Sequence, residues 1–434
     1  MPVDPATRAT ANRKVLAGLL TSPLFIFAIA LGTRLTIIYA TKSYLQIEYT
    51  EIVRVATSLA THGTFADAFG PGTGSTAHVS PLYPMLLSLI FRIFGTGLAG
   101  EIAQEIFSSV IASLTYAGLP LLSSAAGVGP LVGGLAGILG GILPVNFWSE
   151  TKGSFEASLA GLLLMAFCLA ALRTWRSENF SLRSSVTVGL VSGFALLASP
   201  SIAPVIATVL VVGFFLFGAN AAKQYGRFAL MVAFCVGLCL SPWTIRNYFA
   251  LGGAVWSRSG LGLELCISNN DIAAANWLDN IDSGWFQRSH PYFSAQERSQ
   301  RRSLGELAYN RAKMQEAMRW IIAHPRHFTE LCLQHFYYFW FPGRKRPAQW
   351  ILMALFAIGG FLGLIQMFRE RNRAAWIFLA VLGTYPLVYY LVESFARYRS
   401  PIDWLLVFLT TFAASRSKIL GGRFERGTEL SSTT

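Results

Sequence analysis

The chain has 434 residues, of which 53% are apolar and only 13% charged, with a formal net charge of +13. A soluble protein would carry about a quarter charged positions, so the composition excludes an ordinary soluble enzyme and argues against a free basic nucleic-acid-binding domain. The positive charge sits instead in short connectors between apolar runs, the pattern of cytoplasmic loops in a polytopic helical membrane protein.

The N-terminal stretch "MPVDPATRATANRKVLAGLL" places Arg8, Arg13 and Lys14 before an apolar run, as a signal peptide would. That run continues to about Ala40 without a convincing cleavage site, which reads as a retained first span. Arg34 is the one charge within it, placed where it could face a cavity near the outer leaflet. Residues 42–80 follow as an external loop. Within it, Tyr44–Phe65 reads as an amphipathic helix whose apolar side carries Ile52, Val55, Ala56 and Leu59. Glu48 lies one turn before Ile52 and in line with it, whereas Glu51, Arg54 and Ser58 fall on the polar side. Glu48 either snorkels to the interface, or belongs to a helix of different phase, or serves as a base between the loop helix and the bundle mouth, its pKa raised by partial burial.

The segment "HVSPLYPMLL" leads into the next run, with Pro81 and Pro84 fixing the turn and His78 either a proton carrier or phosphate ligand or an ordinary loop residue. Apolar runs then centre at about 81–95, 103–123, 129–147, 154–172, 185–199, 201–217 and 228–245. Three more follow the long polar loop, at about 348–368, 374–392 and 400–414. With the first span they make an odd number, yet both termini read as cytoplasmic, so one run between 81 and 147 is re-entrant, split or not fully spanning. Glu150 and Lys152 read as boundary charges. Glu156, about one turn inside a span, is either a second functional acid or a complement to the helix dipole.

Basic clusters at Arg173–Arg183, Lys223–Arg227, Arg369–Arg373 and Arg416–Arg426 mark the cytoplasmic side. They divide the chain into an N-terminal membrane module (1–246), a long external loop (247–347), C-terminal membrane helices (348–416) and a cytoplasmic tail (417–434). The long loop contains an apparent helix, "GELAYNRAKMQEAMRWIIAHP". At the external ends of spans, "SPWTIRNYF" and "YYLVESFARYRSPIDW" supply Arg246, Arg397 and Arg399. These either snorkel or bind an anionic phosphate with their guanidinium forks. Cys266 and Cys332 could pair if their loop is extracytoplasmic. The sequence has no HExxH or paired CxxC, so no metal site is indicated.

The order of these pieces resembles a family. An external acid precedes "ATSLATHGTF", "SPLYP" opens the next span and "RIFG" closes it, and "PWTIRNYFALGGAVWSRSGLGLELCISNN" and "ARYRSPIDW" follow. The chain is similar to the C-type glycosyltransferases of the protein-mannosyltransferase and aminoarabinose-transferase superfamily, in its bacterial, family-39-like branch. It departs from them in carrying Glu rather than Asp at position 48 and Ser268 where Gly is commoner. The resemblance implies an all-α bundle of about 10–12 transmembrane helices with external amphipathic loop helices, in the bacterial inner membrane with its site on the periplasmic side. It implies transfer of a monosaccharide from a polyprenyl-phosphate donor to a glycolipid, lipopolysaccharide or protein acceptor. Glu48 would be the general base and Glu156 a second acid. Arg246, Arg397 and Arg399 would hold the donor phosphate, and His78, Tyr83 and Asn269 would line the substrate cavity. A divalent cation could help the phosphate leave, or the arginines could serve instead. Two other classes compete. An O-antigen-type polymerase or ligase would concentrate its key residues in the long loop, and a secondary transporter would show internal repeats and midplane charges.

Overall fold

A computed structural model of the chain describes residues 14–143, 146–342 and 347–417, together with the backbone but not the side chains of 218–220. Arg8, Arg13 and most of the tail, including Lys418, Arg423 and Arg426, lie outside the described residues.

The first long helix, Pro23–Thr41, starts where Ser22 accepts a hydrogen bond from the Phe25 amide and Pro23 supplies a preset φ. It ends at Lys42, whose left-handed backbone breaks the run. Among the described residues, six helices are long and apolar enough to cross a membrane. They are Pro23–Thr41, Leu98–Ala125, Ala157–Ser177, Pro200–Phe217, Ala221–Leu251 and Pro347–Arg369. Shorter apolar helices at Leu82–Phe94, Pro130–Ile142, Leu182–Ala198 and Ala374–Tyr390 complete the bundle with Ala396–Arg416. The protein is an all-α polytopic integral membrane protein.

The topological conflict between 81 and 147 has a physical basis in helix length. Leu82–Phe94 and Pro130–Ile142 have 13 residues each, about 20 Å of helix at about 1.5 Å per residue, against roughly 30 Å of hydrocarbon. Pro120 divides the longer run into Leu98–Ala117 and Leu119–Ala125. The glycine-rich Pro130–Ile142 helix packs at backbone distance on two neighbours. A Cβ at Gly134 would lie 2.0 Å from the Leu20 carbonyl oxygen, and one at Gly140 would lie 2.2 Å from the Tyr116 ring. Small residues of this kind allow membrane helices to approach closely.

Charges read at the sequence level as boundary or cavity groups form a buried network instead. Arg34 forms an ion pair with Glu150 and donates to the Ala30 and Gly141 carbonyls, so it does not face the cavity. Glu150 also accepts from the Tyr116 hydroxyl at 2.8 Å. Lys152 is paired with Glu101 and Glu105 and donates to the Ser43 and Gln46 carbonyls. Removing such charges from water is costly unless they find partners, and here each does.

At one end of the bundle the polar segments meet. The Glu51–His62 helix packs through Ile52, Val55 and Ala56 into a cluster that includes Tyr83, Leu87, Trp243 and Leu263. The long loop is itself helical, with Glu306–Ala323 occupying the expected stretch. Cys266 and Cys332 are both free thiols.

Candidate active site

The loop helix starts seven residues later than its apolar periodicity suggests. Residues Ser43–Leu45 form a single 3₁₀ turn, the chain then runs without regular structure, and Thr50 caps the helix by accepting from the Val53 amide. Thr50 also donates to the Ser154 carbonyl at 2.9 Å, fastening the helix start to the neighbouring segment. Two corrections follow. Glu48 lies on the irregular segment before the helix rather than on a helix face, within electrostatic reach of Glu101 and Glu105. Glu51 and Ser58, placed on the polar side by the earlier phase, belong to the ridge that runs through Val55, and Ser58 is buried.

Glu51 lines a cavity of about 400 Å³, within the range occupied by small-molecule sites. Loops and helix ends far apart in sequence close around it. Its ionisable lining is Glu51, Glu156, Arg258, Glu264, Glu393 and Arg397, joined by His78 and His290. Aromatic rings complete the wall, among them Phe155, Trp277, Tyr389 and Tyr398. Arg397 lies 3.8 Å from the Phe155 ring centroid and donates to the Tyr398 hydroxyl at 3.3 Å. Its charge acts on both Glu156 and Glu51. Arg258 sits 3.6 Å from Glu264.

Burial raises the Glu51 carboxyl above the usual range, and its own backbone hydrogen bond and the Arg397 and Arg258 charges oppose the rise. A base whose pKa moves toward neutrality is better matched to proton transfer near pH 7. His290 faces it, with Nε2 3.9 Å from the carboxylate. Burial lowers His290 to about 4, and burial together with Arg258 holds His78 well below its ordinary value. Both rings are therefore neutral at pH 7. Glu393 is buried and accepts from Asn280 at 2.5 Å. Burial lifts its carboxyl to about 8, with Glu264 adding and Asn280 and Arg397 opposing.

Glu51, His78 and His290 each bring a potential ligand atom within 4.8 Å of the others. His78 Nδ1 is buried without a protein partner, as a ligand nitrogen would be. His290 does not complete the set. Its Nδ1 already accepts from the Tyr292 amide at 3.1 Å, so the neutral ring carries its proton on Nε2, the nitrogen facing Glu51. That nitrogen, 3.9 Å from the carboxylate, carries a proton rather than a free lone pair and is not a ligand. These three residues do not fit a three-ligand metal centre.

No protein family model and no curated sequence matches the chain, but solved structures do. The fold resembles that of archaeal oligosaccharyltransferases. The oligosaccharyltransferase AglB of Archaeoglobus fulgidus, solved with an inhibitory peptide and a dolichol-phosphate, superimposes with a TM-score of 0.56 at 12% identity, covering 95% of this chain and 52% of its own. The apo form gives 0.55 at 12% identity, covering 94% and 52%. A third structure, with Zn and sulfate, gives 0.52 at 13%, covering 91% and 48%. The chain spans about half the length of these proteins. At such identities the likeness is one of fold alone.

The residues singled out from the sequence divide sharply. His78, Glu156 and Arg397 line the cavity; Glu48, Tyr83, Arg246, Asn269 and Arg399 do not. Arg246 donates instead to the Thr76 and Phe65 carbonyls at 2.7 and 2.6 Å, so it secures the first loop. Arg399 is wholly buried, bonded to Asp403 at 2.8 Å and to the Trp340 and Met353 carbonyls. The Tyr83 hydroxyl donates to the Gly153 carbonyl, and the Asn269 amide donates to the Leu265 and Leu391 carbonyls. Glu51, Arg258, Glu264, His290 and Glu393 were missed. For Glu51 the signal was Thr50, a helix cap immediately before an acid. The loop residues carry no periodicity that would have marked them.

Proposed function

We propose that the protein is a membrane glycosyltransferase that moves a monosaccharide from a polyprenyl-phosphate donor to a hydroxyl acceptor on a glycolipid, lipopolysaccharide or protein. The site would face the periplasm from the bacterial inner membrane. The observation that carries this reading is a carboxylate and two arginines, Glu51 with Arg258 and Arg397, lining one cavity at the end of a membrane bundle.

Transfer needs a base at the acceptor and cations at the leaving group. Glu51 accepts the acceptor hydroxyl's proton as that oxygen bonds to the sugar's anomeric carbon. The bond from that carbon to the donor phosphate breaks, and the lipid phosphate departs as an anion held by Arg397 and Arg258. His290 places its Nε2–H 3.9 Å from the Glu51 carboxylate, beside the base rather than bonded to it. Glu156, another carboxylate of the cavity lining, accepts hydrogen bonds from the sugar, and the aromatic wall packs its apolar face. The fold likeness to an oligosaccharyltransferase solved with dolichol-phosphate supports a lipid-borne donor.

The test is donor consumption by purified protein across a panel of polyprenyl-phosphate sugars with detergent-solubilised acceptors. Turnover of at least one donor is expected. No turnover of any, with solute-driven flux in vesicles instead, would replace the enzyme by a transporter.

A further inference from the structure

Behind the cavity wall, one carboxylate ties two loops together. Glu306 opens the Glu306–Ala323 helix and is buried, yet it is not part of the cavity lining. Its Oε1 accepts from the Ala77 amide at 2.7 Å and the Ser259 hydroxyl at 2.6 Å. Its Oε2 accepts from the Thr76 hydroxyl at 2.6 Å and is ion-paired with Arg301. The partners come from opposite parts of the sequence, and all four bonds converge on one side chain.

Each tethered segment continues directly into a cavity residue. Ala77 precedes His78, and Ser259 follows Arg258. The two segments also bond to each other, the Ser259 amide donating to the Ala77 carbonyl at 2.8 Å. Thr76 turns its hydroxyl oxygen to the His78 amide at 3.0 Å. Arg301 extends the tie by donating to the Thr73 carbonyl at 2.8 Å, with its guanidinium 5.0 Å from the Phe69 ring centroid. Phe69 in turn packs on His78, their ring centroids 4.7 Å apart. Contact across the wall is close: a Cβ at Gly260 would lie 2.8 Å from His78 Nδ1.

We infer that Glu306 is a positioning residue, the clamp that sets His78 and Arg258 relative to Glu51. This rests on the proposed reading of the cavity for its catalytic consequence, and on the hydrogen-bond geometry alone for the clamp itself. A carboxylate serves because all four partners are donors. An amide must direct its NH₂ at one pair of them, and at the Oε2 side that pair includes Arg301.

The experiment compares wild type with Glu306→Gln and with the double variant Glu306→Gln/Arg301→Gln, which removes the unpaired guanidinium. Two readouts are taken: hydrogen exchange of the detergent-solubilised protein, and steady-state transfer with the polyprenyl-phosphate donor that wild type consumes. Exchange is expected to quicken tenfold or more in residues 73–80 and 255–260 in both variants, with 51–62 unchanged. The kcat should fall about 10- to 100-fold, because displacement of reacting groups by about 1 Å costs on that order, while donor KM changes less than threefold. Exchange unchanged in both segments overturns the clamp whether or not any donor is consumed. Recovery of kcat in the double variant along with its melting temperature also overturns it, since the loss would then be one of stability. Quickened exchange with no wild-type turnover upholds the clamp and sinks the glycosyltransferase reading instead.

Discussion

Replacing Glu393 by Gln should make the protein less sensitive to alkaline pH. The wild-type carboxyl is buried, holds its proton up to about 8 and is bonded by Asn280, with Glu264 and Arg397 the charges that act on it. An acid whose folded pKa exceeds its unfolded value contributes full stability below the unfolded value, near 4.5, and loses it as pH climbs through 8. At about 1.4 kcal/mol per pH unit, the ceiling on that loss is about 5 kcal/mol, of which about 2.7 kcal/mol falls between pH 6 and 9. The Gln variant has no proton to lose, and its carbonyl still accepts from Asn280. Thermal unfolding of wild type and variant in detergent at pH 6 and pH 9 measures the difference. Wild type should lose several degrees more than the variant over that interval. Equal losses would show that Glu393 titrates as an ordinary exposed carboxylate, and the account of its burial would fail.

Three more outcomes are expected. Arg397→Lys loses the planar stack on Phe155 and the fork suited to phosphate; with charged hydrogen bonds contributing about 1.5–3 kcal/mol, kcat/KM for the donor should fall about 10- to 100-fold, and an unchanged value would remove Arg397 from the phosphate site. A chelator should leave transfer within about twofold, because His290 presents an N–H rather than a lone pair to Glu51 and the arginines hold the leaving phosphate; loss of activity restored by a divalent cation would refute transfer by the arginines alone. Arg399→Met should destabilise by about 3–5 kcal/mol by stranding Asp403, seen as a lower melting temperature that Asp403→Leu in the same chain recovers; a purely kinetic defect would contradict its structural role.

What the sequence revealed follows from what periodicity and charge can encode. Apolar runs near 20 residues, separated by basic connectors, made the helical membrane fold plain. Lengths of 13 residues at Leu82–Phe94 and Pro130–Ile142 explain why counting spans stalled between 81 and 147. The site was less legible because its lining comes from loops and helix ends that only tertiary structure assembles. Glu48 was preferred because its spacing to Ile52 matched a helix that Thr50 in fact delays. Arg397 and Arg399 were grouped by proximity, yet at about 100° per residue two positions along a helix point to nearly opposite sides, so only one could enter the cavity. Arg34 and Glu150, 116 residues apart, became a pair only on folding.

The central claim is that Glu51, and not Glu48, takes the acceptor's proton. Transfer from a polyprenyl-phosphate sugar by purified Glu51→Gln and Glu48→Gln, each checked for wild-type melting behaviour, tests it most directly. The structure predicts a fall of about 100-fold or more for Glu51→Gln, the scale of a lost general base, and a rate within about threefold of wild type for Glu48→Gln. The reverse pattern would return the base to the segment before the helix and contradict the assignment of Glu51.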